Sequence, residues 1–439
     1  MFIDTLLNCR WVIPINPEDH VFERVSIAIH NQRIIAICEQ SEALEKFEAA
    51  ATYSLDRHLV MPGLINSHTH ASLNILAKII FKQSNKDYSE TLTKVLAKYP
   101  ITPQLVRDGT QIAIAEMIKT GTTCFADIAL FSNIAANVVR ECGMRSQISF
   151  PMTEYSKLIN NSWESQMSDG LRLFDDYRDS AHVRVACAPQ SISSLNNDKL
   201  TNLATYVNEI ELPLQIDTHN SREEISSSAK NFNARPVQRL AECGLLTPQS
   251  QLTHITQLKK SDLLLLKESN SHIIYCPRFN LIQSGGFCPL EEAKKMGINV
   301  ALGSGGFTRD LSFDLFNDLQ FALLLNKAST NDGLSLSPHQ SLRMATLDGA
   351  KALGWQEEIG TLEPNKLADI IAIEINYLEE QTINNLAAGL VYKSYNHRIT
   401  HSFVGGRPLM INGNLEILNE ELLQRKRKNW AKSAINVDL

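Results

Sequence analysis

Eight short apolar runs mark the middle of this chain, and that alternation constrains its fold more than any single motif. The runs are Val60–Ile65, Thr122–Ala126, Ser146–Phe150, Val183–Ala188, Leu212–Ile216, Gln251–His254, His272–Tyr275 and Asn299–Leu302. Between most of them lie stretches of helical period, among them Leu105–Lys119, Asn133–Cys142, Ala234–Cys243 and Lys260–Lys267. Short buried strands alternating with helices predict an α/β protein, a (β/α)8 TIM-like barrel, whose reactive groups lie at the C-terminal ends of the strands.

The chain ends read differently. Trp11–Pro14, Val25–His30 and Arg33–Ile37 are rich in β-branched residues and are broken by the turn residues Asn31-Gln32. The same style returns in Asp369–Ile375, Leu390–Tyr392 and Ile399–Val404, followed by the turn Asn412-Gly413-Asn414. A β unit built from residues 1–58 and 365–439 is expected, with the barrel, 59–364, inserted between its halves. The length of 439 residues accommodates both, and 44% apolar residues suffice for a large core.

Charge excludes some partners. A net charge of −6 argues against a nucleic-acid surface, and no apolar run approaches the ~18 residues that span a bilayer. The basic run Arg425-Lys426-Arg427-Lys428 sits in a helix-like tail, Glu420–Ala434, and reads as a solvated helix face. The eight cysteines are scattered without a C-x-x-C pair, and Met1–Pro14 lacks the pattern of a signal peptide. Reduced thiols and a cytoplasmic location are the expectation.

The chemistry begins where the first run ends, at Asn66-Ser67-His68-Thr69-His70. Histidines at i and i+2 on a strand point the same way, which suits two imidazoles on one metal ion.

Several segments together carry a resemblance. They are Pro62–His70, Gly121-Thr122-Thr123 after Ala113–Met117, Gly143-Met144-Arg145, Cys276-Pro277, Asn299–Gly303, Met344-Ala345-Thr346 and Gly360–Asp369. In this order they resemble the amidohydrolase superfamily, in the branch of methylthioadenosine/S-adenosylhomocysteine deaminases and triazine/ammeline hydrolases. The resemblance implies a β-sandwich made from both chain ends, and metal-assisted hydrolysis of C–N bonds on purine-like or other heteroaromatic rings. It also implies one divalent metal, zinc or iron, and a homodimer.

Carried over residue by residue, the pattern is only partly kept. His68 and His70 match the metal pair, and His254 matches the histidine beside the attacked centre. The third metal histidine becomes Asp217, and the proton-shuttling Glu becomes Asn220. The eighth-strand Asp becomes Gly305, and the family's Ala-Pro-His turn becomes Ala188-Pro189-Gln190. The usual His-Cys-Pro-x-Ser-Asn becomes Tyr275-Cys276-Pro277-Arg278-Phe279-Asn280. The lid segment is replaced by Phe81–Tyr88.

Asn220 cannot exchange a proton near neutral pH, and Gly305 offers neither ligand nor base. Asp217 can still ligate through oxygen. His219, two residues further on, faces the same side if the strand extends that far. Gln190, His219, Tyr275 and Arg278 are the expected pocket residues. Arg278 brings a cation toward the rim, which weakens metal binding. Asp314 is expected to be structural, Asp310 to pair with Arg309, and Glu224 to cap a helix or face solvent.

Three readings follow. The first is a barrel without the usual deaminase activity, with a weakened metal site or none, kept as a binding, regulatory or dimerising protein. The second is a working hydrolase whose metal is rebuilt on His68, His70, Asp217 and His254. The third is a metal-free binder in which Arg278 and Tyr275 read a polar or anionic ligand.

Overall fold

The computed structural model describes residues 1–76, 101–153, 162–189, 192, 195–219, 221–305, 312–375, 385–393, 398–432 and the backbone of 433–435. The lid residues Phe81–Tyr88, together with Gln190, Asn220, Arg309 and Asp310, lie outside these described residues.

Eight parallel strands form a nearly closed barrel. In chain order they are Leu64–Thr69, Thr122–Ile128, Arg145–Met152, Val183–Pro189, Leu214–Asp217, Ser250–Thr253, His272–Tyr275 and Val300–Leu302. Each lies beside its neighbour in sequence, and a parallel bridge between Thr69 and Gly305 connects the first and last. The strands are buried on both faces, which is why they read as continuous apolar runs.

The chain ends share a second, mixed sheet of eight strands. It runs Asn414–Leu415, Arg407–Ile411, Ile399–Val404, Ile370–Glu374, Glu48–Pro62, Phe2–Val12, Phe22–His30 and Arg33–Glu39. Period-two alternation gives it two buried faces. Val25, Ile27, Ile29 and Ile34 join one core with Leu55, Ile370 and Phe403, whereas Ala28 joins Ile3, Leu6 and Ala43 on the other. The turn at Asn31-Gln32 is as expected, with both residues at positive φ.

Two sequence expectations need correction. Val60–Ile65 is not one strand: Leu59–Pro62 pair with Ile370–Ile373 in the end sheet, and the barrel strand starts at Leu64. Gly63 separates them because a Cβ there would lie 2.0 Å from the Thr123 hydroxyl. Leu390–Tyr392 is helical, within Leu386–Lys393. Its buried Ala387, Leu390 and Val391 have helical spacing, and its paired alanines favour helix over strand.

The described chain forms two compact units. One comprises Met1–Asn66, Ala115–Cys124 and Phe313–Asn419; the other comprises Ser67–Ile114, Phe125–Ser312 and Glu420–Leu439. In the second unit the tail helix Glu420–Ile435 is anchored by Asp108, which accepts from Lys426 Nζ at 2.8 Å and Trp430 Nε1 at 3.0 Å. Arg425, Arg427 and Lys428 are exposed, so three of the four basic residues form a solvated face and Lys426 does not. In the first unit, Asp314 caps the helix Leu315–Thr330 by accepting from the Phe316 amide, a structural role as expected. Among the described residues no helix is long and apolar enough to cross a membrane.

Candidate active site

The ends of the first, fifth and sixth barrel strands bring the expected residues together. His68 is wholly buried; its ring centroid lies 5.2 Å from that of His70 and 4.9 Å from that of His254. Asp217, at the end of the fifth strand, places its carboxylate 4.0 Å from His68 Nε2. One ligand atom each from His68, Asp217 and His254 fall within 4.8 Å of one another, the one such donor group among the described residues. The Asp217 side chain is about one-third exposed, so the cluster opens to solvent on that side.

A glutamine network beneath the cluster orients it. Gln215 Oε1 lies 3.3 Å from His68 Nδ1, and Gln215 Nε2 donates to the Ser67 carbonyl and to Gln251 Oε1. Gln251 and Gln147 exchange two hydrogen bonds at 2.8 and 2.9 Å. Gln215 has both amide hydrogens committed, so its oxygen accepts from Nδ1–H of His68. That tautomer leaves the Nε2 lone pair directed at the cluster, and Nε2 is buried without a hydrogen-bond partner. None of these glutamines was singled out from the sequence, although a polar side chain within a buried strand run is itself a signal.

Electrostatics suit a cation. Burial, then the neighbouring charge of His254, pushes His68 down to about 4. Burial, then His68, does the same to His70. Both rings are therefore neutral at pH 7, the form that ligates. Burial alone would raise the Asp217 carboxyl, but His254, His68, the Thr253 hydroxyl and His70 outweigh it and hold the group anionic. Thr253 Oγ1 donates to Asp217 Oδ1. The orphaned Nε2 of His68, a ring nitrogen of His254 and the Asp217 carboxylate form a donor set that fits zinc or a similar divalent ion.

Asp127, missed in the sequence, supports the loop after His70. It is fully buried and accepts from the Ala71 amide at 2.6 Å and the Thr69 hydroxyl at 3.1 Å. Burial raises its carboxyl to about 7.

The structure places His219 outside the cluster. Its backbone turns at φ +57°, and its Nε2 accepts from the Val237 amide at 3.1 Å. Nδ1 lies 3.3 Å from the Gln257 carbonyl, so the ring ties together the loops after the fifth and sixth strands. Tyr275 is buried at the end of the seventh strand. Arg278 is also largely buried and donates to the Ser312 carbonyl at 3.0 Å.

Gly305 stands where the resemblance puts a carboxylate. Its amide donates to the His68 carbonyl at 3.1 Å, and its φ is +78°. A Cβ added there would lie 2.7 Å from Phe279 Cβ and 2.8 Å from Phe279 Cγ. The Phe279 ring in turn lies against His254, with centroids 4.2 Å apart and planes at 30°. The volume beside the imidazole is thus filled by hydrocarbon.

A barrel with histidines and an aspartate converging at its strand ends is the frame of a metal-dependent hydrolase, and the chain belongs to the amidohydrolase family, which it matches over residues 59–409. It is 36% identical over 429 residues to a 5-methylthioadenosine/S-adenosylhomocysteine deaminase of Teredinibacter turnerae, covering 98% of this chain and 97% of that one. A deaminase of the same name from Saccharophagus degradans is 32% identical over 427 residues, covering 97% and 96%. Among solved structures, a zinc-bound adenosine deaminase from Xanthomonas campestris superimposes with a TM-score of 0.94 at 28% identity, covering 99% of each chain. The atrazine chlorohydrolase TrzN of Arthrobacter aurescens shares the fold, with a TM-score of 0.88 at 20% identity over 97% of this chain and 99% of that one.

Proposed function

We propose that this chain binds a divalent cation and a purine-nucleoside-type ligand in the deaminase pocket, but does not release ammonia from that ligand by the route of its relatives. The observation that carries this reading is Gly305, with Phe279 packed into the space a carboxylate would need.

Hydrolytic deamination requires a proton to be taken from water and one to be delivered to the leaving amine. Asn220, in the place the resemblance gives to the shuttling Glu, can do neither. Gly305 has no side chain. Asp217 remains, but its carboxylate is engaged by Thr253 and lies within reach of His68 Nε2. It is the one carboxylate of the described cluster left for both cation binding and proton transfer.

His68, His70 and Asp217 would hold the cation, with His254 beside it. A bound divalent ion supplies Lewis acidity and lowers the pKa of water. The chain's own residues orient the site: Gln215 holds the His68 ring, and Asp127 holds the backbone at Thr69 and Ala71.

The test is protein purified without chelator and supplemented with zinc. Its metal is quantified and ammonia release from 5-methylthioadenosine, S-adenosylhomocysteine and adenosine is followed. The expected result is bound zinc, a thermal shift with at least one nucleoside, and no turnover above background. Turnover near 1 s⁻¹ or faster, at the low end of ordinary enzyme rates, overturns the reading. Such a result would support the rebuilt hydrolase, a second reading favoured by the His68–Asp217–His254 donor group.

A further inference from the structure

We propose that Phe279 and Gly305 act as one coupled pair: Phe279 closes the eighth-strand position to any side chain, and so denies the His68–Asp217–His254 cluster a further anionic ligand. This rests on the reading that the cluster is a cation site, and extends it to Phe279, which stands at the serine position of the seventh-strand motif.

The contact cannot be relieved by a rotamer. The nearest atom to a Cβ at position 305 is Phe279 Cβ, at 2.7 Å, and a Cβ moves only with its backbone. Cγ and Cδ2, at 2.8 and 3.2 Å, add to the conflict. Both backbones are pinned. Gly305 is tied to the first strand by its hydrogen bond to the His68 carbonyl and by its bridge to Thr69. Phe279 sits in the helix Pro277–Ile282, only 7% exposed, with its ring on His254. The next residue, Asn280, donates from Nδ2 to the His254 carbonyl at 3.2 Å. Moving Phe279 away from Gly305 therefore displaces His254 as well. Replacing the ring by alanine removes the Cγ and Cδ2 contacts and frees the helix from the His254 ring, but leaves the Cβ contact at 2.7 Å. Replacing it by glycine would remove all three contacts.

The positive φ at Gly305 penalises any side chain there, but does so equally whatever stands at 279. A mutant cycle removes that common cost and isolates the coupling. We therefore expect a graded result in protein stripped with EDTA. Gly305→Ala should lower the unfolding midpoint most in the wild-type background, less with Phe279→Ala, and least with Phe279→Gly. If the glycine variant does not fold, the alanine arm alone decides. In a second arm, Gly305→Asp alone should leave zinc affinity unchanged or weaker. Combined with Phe279→Ala it should bind zinc at least about tenfold more tightly than Phe279→Ala alone.

An equal midpoint loss in every background, or a gain in zinc affinity from Gly305→Asp alone, overturns the proposal. The EDTA cycle involves neither metal nor catalysis. It can therefore fail while the cation-site reading stands, and it can succeed even if the wild-type protein proves to be an active deaminase.

Discussion

Replacing Gln215 by methionine tests whether the buried amide network positions the cation site. Methionine roughly preserves volume, so the main loss is polar. Two buried groups lose their partner: His68 Nδ1, whose acceptor is 3.3 Å away, and the Ser67 carbonyl, whose donor is 3.0 Å away. Gln251 Oε1 keeps a second donor in Gln147. An orphaned buried group costs about 1–3 kcal/mol, so the substitution should destabilise the protein by about 2–6 kcal/mol. Freed of its acceptor, His68 can also shift its proton to Nε2, the nitrogen that faces Asp217. Loss of such an orienting partner typically weakens metal affinity about 10–100-fold. Urea denaturation of EDTA-treated protein reads the first effect, and calorimetric zinc titration the second. Gln147→Met is the control: it breaks the reciprocal bonds to Gln251 but leaves the His68–Gln215 contact intact. It should cost stability and leave zinc affinity within about threefold, less than 1 kcal/mol. If both variants weaken zinc equally, or if neither does, Gln215 does not orient His68.

Two further outcomes follow from the structure. Burial, then the charge of His58, lowers His401 to about 4 in the end sheet, where the two rings meet edge to face with centroids 5.6 Å apart. An unfolded histidine titrates near ~6.5, so between about pH 6.5 and 4 the unfolded chain binds more protons, and stability is lost as pH falls through that window. His401→Phe should reduce the difference in unfolding free energy between pH 7.5 and pH 4.5 by about 1–3 kcal/mol, and an unchanged difference would refute the assignment. In the barrel unit, Asp108→Asn removes the anion that Lys426 and Trp430 share, and should cost about 1–3 kcal/mol. Limited proteolysis should then cut the tail helix Glu420–Ile435 faster; an unchanged cleavage rate would mean that apolar contacts such as those of Leu423 suffice.

The barrel was legible because buried parallel strands need uninterrupted apolar residues, and Thr122–Ala126 or His272–Tyr275 leave no other reading. The His68–His70 pair was legible because strand alternation directs both side chains to one face. What the sequence obscured was set by tertiary context. Val60–Ile65 reads as one run because both sides of Gly63 are buried, although they belong to different sheets. Leu390–Tyr392 is too short a window to separate helical from strand period. His219 shares the parity of Asp217, but the strand ends at Asp217 and the chain turns, so parity no longer applies. The glutamine network and the Phe279–Gly305 contact join residues distant in sequence, and no local pattern encodes them.

The departures at the site are physically linked rather than scattered. Removing a carboxylate from a packed strand end would leave a void beside His254, and voids in packed interiors are costly. Here an aromatic side chain lies on that imidazole, and a glycine makes the close approach possible. Losing a histidine from the fifth strand would leave a neutral gap; instead there is a carboxylate with a hydroxyl donor, Thr253, on the adjacent strand. At Gly305 and at Asp217 the replacement is thus accommodated by a neighbour in contact with it. The pocket exchanges proton-handling groups for packing and one remaining charge, while keeping the hydrogen bond that orients His68. Such a pattern is what the proposed binding without turnover requires: a fixed donor set, and no second carboxylate in the described cluster to move protons.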